Sequence, residues 1–291
     1  TPASLPVAVS YSGTGGTTYG TSANAPTGAG SYSVTATVND PNYSGAASGT
    51  LTVNKATSSI TWATPAAIAY SAALGPAQLD ATANVPGSFV YNPIAGTILT
   101  AGSQNLSVTF TPSDAANYTT ATANVTLTVN KAAASVALGN LAQTYDGAAK
   151  VVPATTTPSG LAATFSYSGT GGTIYGPSAT TPTSAGSYSV TATVNDPNYS
   201  GSSSGTLIVN KATSAISWAT PAAITYGTAL GGAQLNASAN VPGSFVYNPA
   251  AGTVLNAGSQ NLSVTFTPTD AANYTTATAN VTLTVNKATP S

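Results

Sequence analysis

Arginine, glutamate, histidine, cysteine and methionine are all absent from this 291-residue chain, whose ionic character comes from five lysines and six aspartates with a formal net charge of −1. Charged residues make up 4% of the chain, against roughly 25% in a typical globular protein. No basic patch can form, so no nucleic-acid partner is expected. Without His or Cys there is no Ser-His-Asp triad, no thiol nucleophile and none of the usual transition-metal ligands. The lack of cysteine leaves the redox compartment open and means that packing alone must hold each domain. Apolar runs fall far short of the roughly 20 residues that cross a bilayer, and no signal-peptide pattern opens the chain at Thr1. The expectation is a mature, soluble segment with no membrane span.

What the chain has instead is 42% hydrophobic residues set in Ser, Thr, Asn and Gly. It also has repeats. Ser31 to Gly45 (SYSVTATVNDPNYSG) recurs unchanged at Ser187 to Gly201, an offset of 187 − 31 = 156 residues. At the same offset Ile60-Thr61-Trp62-Ala63 returns as Ile216-Ser217-Trp218-Ala219, and Val129-Asn130-Lys131 returns as Val285-Asn286-Lys287. Within each long unit, Val53-Asn54-Lys55-Ala56 and Val129-Asn130-Lys131-Ala132 close two diverged halves of similar length. Four modules of two alternating types result. Residues 1–55 are a partial first-type module, 56–131 a second-type, 132–211 a complete first-type and 212–291 another second-type module.

Both types end in a pair of strands with period-two alternation. In the first type Tyr188 to Val194 turns at Asn195-Asp196-Pro197-Asn198-Tyr199 and returns through Gly205 to Val209. In the second, Leu262 to Phe266 turns at Pro268 to Tyr274 and returns through Val281 to Val285. Shorter strands are read at Ala215 to Trp218, Ala233 to Leu235 and Ser244 to Tyr247, punctuated by Pro and Gly, with no helical window of useful length. The fold expected is all-β: a tandem array of small immunoglobulin-like β-sandwiches forming a rod, with a β-grasp or other compact β fold as the alternative.

These residues resemble the tandem immunoglobulin-like, MBG- and YDG-type repeats of large bacterial cell-surface adhesins. Tyr145-Asp146-Gly147, Asp196-Pro197-Asn198-Tyr199, Asp270-Ala271-Ala272-Asn273-Tyr274 and the Val-Asn-Lys-Ala closures carry the resemblance. It implies an extracellular stalk or filament whose repeats act as spacers or self-associating units, and it brings no catalytic residues.

The residues support no catalytic, cofactor-binding or metal assignment and no cofactor. Glycosidase chemistry needs two carboxyl groups about 5 to 9.5 Å apart, each module has one or two aspartates, and Asp80 is Asn236 in the other copy. Calcium at Asn39-Asp40-Asn42 or Asp114-Asn117 would have one carboxylate per loop where several are usual, so these residues read as turn formers. A Lys–Asn isopeptide bond would need a buried lysine, whereas the lysines are read at module closures. Trp62 and Trp218 share strand faces with Ile60 and Ile216 and read as core before sugar platforms. Thr35/Thr37 and Thr126/Thr128 resemble ice-binding pairs but suit any solvated strand face. The nine Asn-x-Ser/Thr sequons are close to chance for this composition, and glycans stay open as partners.

The functional reading is a stiff, self-assembling rod in a structural or adhesive extracellular surface protein. The alternative is an adhesin module that recognises carbohydrate, ice or another cell. Two further expectations follow. The 21 residues equivalent to Val136 to Thr156 are absent from the first module, so the chain is a cut segment of a longer repeat or its open sheet takes a donated strand from another copy. Lys55, Lys131 and Lys211 at the closures should approach Asp114, Asp196 and Asp270, one ion pair per junction, with Tyr118, Tyr199 and Tyr274 packed beside them.

Overall fold

The computed structural model describes residues 4–289, and every regular element among them is a β-strand. No helix there is long and apolar enough to cross a membrane. Alternation explains the strands directly. Along Gly258–Pro268, Leu262, Val264 and Phe266 are fully buried while Thr265 and Thr267 beside them face out. The chain falls into two compact units, Thr1–Ala132 and Ala133–Ser291.

In the second unit, the first-type sheet has four strands. Ala163–Thr170 forms one edge and pairs antiparallel with Gly186–Val194, which pairs antiparallel with Ser202–Asn210. Ala142–Thr144 then lies parallel to that last strand at the opposite edge. Ser135–Leu138 and Ala154–Thr157 form a separate antiparallel pair. Val152, Tyr167, Tyr188, Val190, Leu207 and Val209 are buried as one cluster, with Leu138, Leu141 and Phe165 packed against it. Each such side chain contributes about 1.5–3 kcal/mol when taken from water.

The second-type sheet has the same plan. Ile224–Thr225 runs parallel to Ala277–Asn286, followed across the sheet by Gly258–Pro268 and the edge strand Gly243–Asn248. Ile216–Ser217 pairs with Ser238–Ala239. Leu230, Leu262, Leu283 and Val285 form the core, against Trp218, Ile224 and Leu235. The strand expected at Ala233 to Leu235 is a turn. Gln234 and Leu235 both donate their amides to the carbonyl of Gly231, and the Gln234 side chain accepts from the Gly231 amide at 3.1 Å. Three alternating residues are too few to specify a strand once a local turn satisfies the backbone.

The first unit repeats the second-type sheet with Ile68–Ala69, Ala121–Asn130, Gly102–Pro112 and Gly87–Asn92 around Leu74, Leu106, Leu127 and Val129. Ahead of it, Val7–Thr14, Gly30–Val38 and Ala46–Val53 form a three-stranded sheet in the register of the complete first-type copy. Among the described residues no strand flanks Ala46–Val53 on its outer side. Leu51 and Val53 are accordingly half-buried where Leu207 and Val209 are buried.

Candidate functional site

Where one module hands the chain to the next within a unit, backbone and side-chain contacts converge on one loop. In the second unit that loop is Asp270-Ala271-Ala272-Asn273. The amides of Asn273 and Tyr274 donate to the Asp270 carbonyl, and Asn273 Nδ2 donates to Asp270 Oδ2 at 2.9 Å. This local closure is the reason for an Asp and an Asn three residues apart. It leaves Asn273 Oδ1 facing the first-type module, where it accepts the Ala185 amide at 2.8 Å. The Lys211 ammonium donates to the Ala271 carbonyl at 2.6 Å. Ala212, the first residue past the closure, donates to the Asn273 carbonyl and accepts from Thr275, forming a one-residue parallel bridge beside Tyr274. Tyr274 also meets Tyr145 edge to face, with ring centroids 5.4 Å apart.

The first unit builds the same joint at Asp114-Ala115-Ala116-Asn117. Ala29 donates to Asn117 Oδ1 at 2.7 Å, Lys55 donates to the Ala115 carbonyl at 2.5 Å, and Ala56 bridges to Tyr118. The Asn117 side-chain hydrogen bond holds the Asp114 carboxyl below the usual carboxylate range. Backbone amides of Asn117 and Ala116 and the Lys55 charge act in the same direction, and desolvation opposes them.

These contacts revise the expected ion pairs at the two joints. The loop does lie beside the closure, but Lys55 and Lys211 reach the carbonyl one residue past each aspartate, with no direct salt bridge to Asp114 or Asp270 among the described residues. Asp114 and Asp270 are engaged by their own asparagines, and each ammonium bonds instead to the carbonyl beside them.

Lys150 corrects the reading that placed the lysines at closures. It is 3% exposed and pairs with Asp146 of the Tyr-Asp-Gly turn, where Asp146 Oδ1 also accepts the Ala148 amide at 2.8 Å. The Lys150 hydrogen bond, followed by that amide, holds the Asp146 carboxyl below its ordinary range. Four-residue spacing between Asp146 and Lys150 was the available signal, hidden because such spacing is normally read on helices.

Asp40 accepts the Asn42 amide and Asp196 accepts the amides of Asn198 and Tyr199, as turn formers do. No cluster of three His, Cys, Asp or Glu side chains occurs among the described residues. Trp62 and Trp218 pack on the cores, with indole N–H groups donating to Gln78 and Gln234 carbonyls. Exposed hydroxyls line both sheet types, as in the cross-strand pairs Thr109↔Thr122 and Thr164↔Thr193, so no Thr face is peculiar to one module type. A cleft of about 640 Å³ beside Lys211 is lined by Gly171, Gly172, Thr173 and Tyr175. A counterpart of about 530 Å³ in the first unit holds Gly15, Gly16, Thr17 and Tyr19. Their tyrosines are already engaged: Tyr175 sits edge-on to Tyr188 and donates to the Thr180 carbonyl, as Tyr19 does to Tyr32 and Asn24.

Comparison with known proteins adds a family. The MBG domain family, found in bacterial adhesin-type repeat proteins, matches residues 1–57 and 134–213. No curated protein matches the chain. Among solved structures it is similar to the immunoglobulin domains 1–5 of Sidekick-1, at 13% identity, covering 97% of this chain and 74% of that one with a TM-score of 0.32. It is similar to Drosophila N-cadherin EC1-4 at 10% identity, covering 91% and 85% with a TM-score of 0.22. The S-layer protein rSbsC(31-844) matches at 13% identity, covering 97% and 50% with a TM-score of 0.23. The MBG match thus falls on two separate stretches of an all-β chain, residues 1–57 and 134–213.

Proposed function

We propose that the chain is a structural spacer in an extracellular bacterial surface protein, in which alternating modules 1–55, 56–131, 132–211 and 212–291 are held at fixed angles to make a stiff stalk. The duplicated joint carries this reading. Each copy ties the modules on its two sides through an Asn side chain, a Lys ammonium and a bridged linker residue, with no Gly/Ser spacer. The adhesive alternative would use the tyrosine clefts, but hydrogen bonds and ring contacts within the module already occupy those rings.

Small-angle scattering of the full chain tests the proposal. An elongated particle is expected. A radius of gyration near the ~19 Å of one compact domain of this length overturns it.

A further inference from the structure

The two module types treat the same sheet edge differently. In the first type the edge strand Ala163–Thr170 is covered by the chain that follows it. Tyr167 and Ser178 exchange backbone hydrogen bonds at 2.8 and 2.9 Å, and Gly169 donates to the Tyr175 carbonyl at 2.7 Å. Tyr11 and Ser22, with Gly13 and Tyr19, do the same in the first unit. In the second type the chain after the edge strand turns away. Gly96 and Thr97 exchange hydrogen bonds with Leu74 at 2.8 and 2.9 Å, and Gly252 and Thr253 do so with Leu230. The edge strands Gly87–Asn92 and Gly243–Asn248 therefore have one neighbour each and no covering segment among the described residues.

Pro86 and Pro93, like Pro242 and Pro249, bracket these strands and limit pairing to their length, but nothing within the strands guards the edge. Both read Gly-Ser-Phe-Val-Tyr-Asn, with no lysine, no proline and an unbroken register against the neighbouring strand. Val90 and Val246 are 66% and 68% exposed. Beside Val90, Leu79, Phe89, Tyr91 and Ile94 line a shallow apolar hollow; Ile94 is replaced by Ala250 in the other copy.

We propose that Gly87–Asn92 and Gly243–Asn248 are the self-association edges of this protein, each adding antiparallel to the same strand of a second copy. An antiparallel edge is self-complementary under a two-fold axis. Neither partner carries a charge in the strand, so juxtaposition meets no repulsion in a chain of net charge −1. One six-residue pairing is weak. Each chain carries two such strands, so pairing propagates beyond dimers and gains avidity. The strand at Val90, where Ile94 supplies apolar surface that Ala250 does not, is the stronger. This goes beyond the spacer reading and does not depend on it.

Sedimentation velocity of the full chain over a concentration series is the test. The wild type should rise above its monomer mass of 28.2 kDa as concentration increases. Val90→Lys should weaken association about tenfold and more than Val246→Lys, and the double variant should stay monomeric, because like charges oppose across a strand pair. Ser88→Lys with Ser244→Lys, at exposed polar positions of the same edge, gives the same result if the valine variants fold poorly. A wild type that remains monomeric at its solubility limit overturns the proposal, as does a folded lysine variant that associates like the wild type. A monomeric wild type that instead captures a synthetic Gly-Ser-Phe-Val-Tyr-Asn peptide also overturns it, since the occupant is then not a second copy. Scattering extrapolated to infinite dilution is unaffected by edge charge, so this result and the spacer test fail separately.

Discussion

Asn117→Ala together with Asn273→Ala should loosen both described joints without unfolding the modules. Each side chain makes one hydrogen bond across the joint, from Ala29 at 2.7 Å or Ala185 at 2.8 Å, and one local bond to its aspartate. A net hydrogen bond is worth about 0.5–1.5 kcal/mol, which corresponds to a roughly 2- to 13-fold change in the local opening equilibrium. The Lys211 to Ala271 bond and the Ala212 bridge remain, so the joint softens and does not come apart. Amide hydrogen exchange on the full chain reads this directly. Ala29 and Ala185 should exchange faster by that factor while the core amides of Leu262 and Val264 keep their protection. Unchanged exchange at both alanines would show that the asparagines do not hold the modules together. A uniform rise that includes the core would mean global destabilisation and would also defeat the reasoning.

Three other outcomes follow from particular contacts. Gly243→Ala should cost about 1–3 kcal/mol by urea melts, because a Cβ there would lie 2.4 Å from the Phe266 ring and the Thr267 carbonyl; Gly231→Ala, with nothing within 4 Å, is the control, and equal effects would refute the clash. Ser214→Ala, and Ser58→Ala in the other copy, should be neutral or stabilising by the same assay, since both hydroxyls are buried without a hydrogen-bond partner, and clear destabilisation would reveal one. Asp146→Asn should lower Tm at neutral pH and flatten its dependence on acid. The folded carboxyl lies below the unfolded value of about 3.9, so its stabilisation is present above that pH and is lost as pH falls through the folded value. Parallel Tm–pH curves for the two proteins would show that the Lys150 pair is not the cause.

The strand pairs were legible wherever alternation ran for five residues or more, as in Leu262 to Phe266, and the loops holding Asp114 and Asp270 were placed correctly beside the closures. The ligand of each lysine was not legible. A four-carbon stem reaches both the Asp side chain and the neighbouring carbonyl, and sequence spacing does not distinguish the two. Lys150 escaped because its partner lies across a turn with Gly147 at φ 83°, a geometry that four-residue spacing alone does not announce. Edge coverage escaped for a related reason. The segments after Thr170 and after Asn92 are both Gly-, Thr- and Ile-containing loops, and that shared composition does not distinguish the loop that returns to its own edge strand at Tyr167 from the one that bonds to Leu74.

The contrast between covered and open edges also bears on why the module types alternate. The two open strands begin at Gly87 and Gly243, 243 − 87 = 156 residues apart. Placing second-type modules next to each other would roughly halve that separation. Loop-closure entropy changes by only about 0.6 kcal/mol for a twofold change in length, less than threefold in population. Chain length is therefore a weak barrier to pairing the two strands within one molecule. The stronger one is local: the intervening module closes its own edge through Tyr167, Gly169 and Ser178, so it offers no template on which a neighbour's strand can start. In a chain with almost no charge to place on its edges, backbone cover takes the role that lysine has elsewhere.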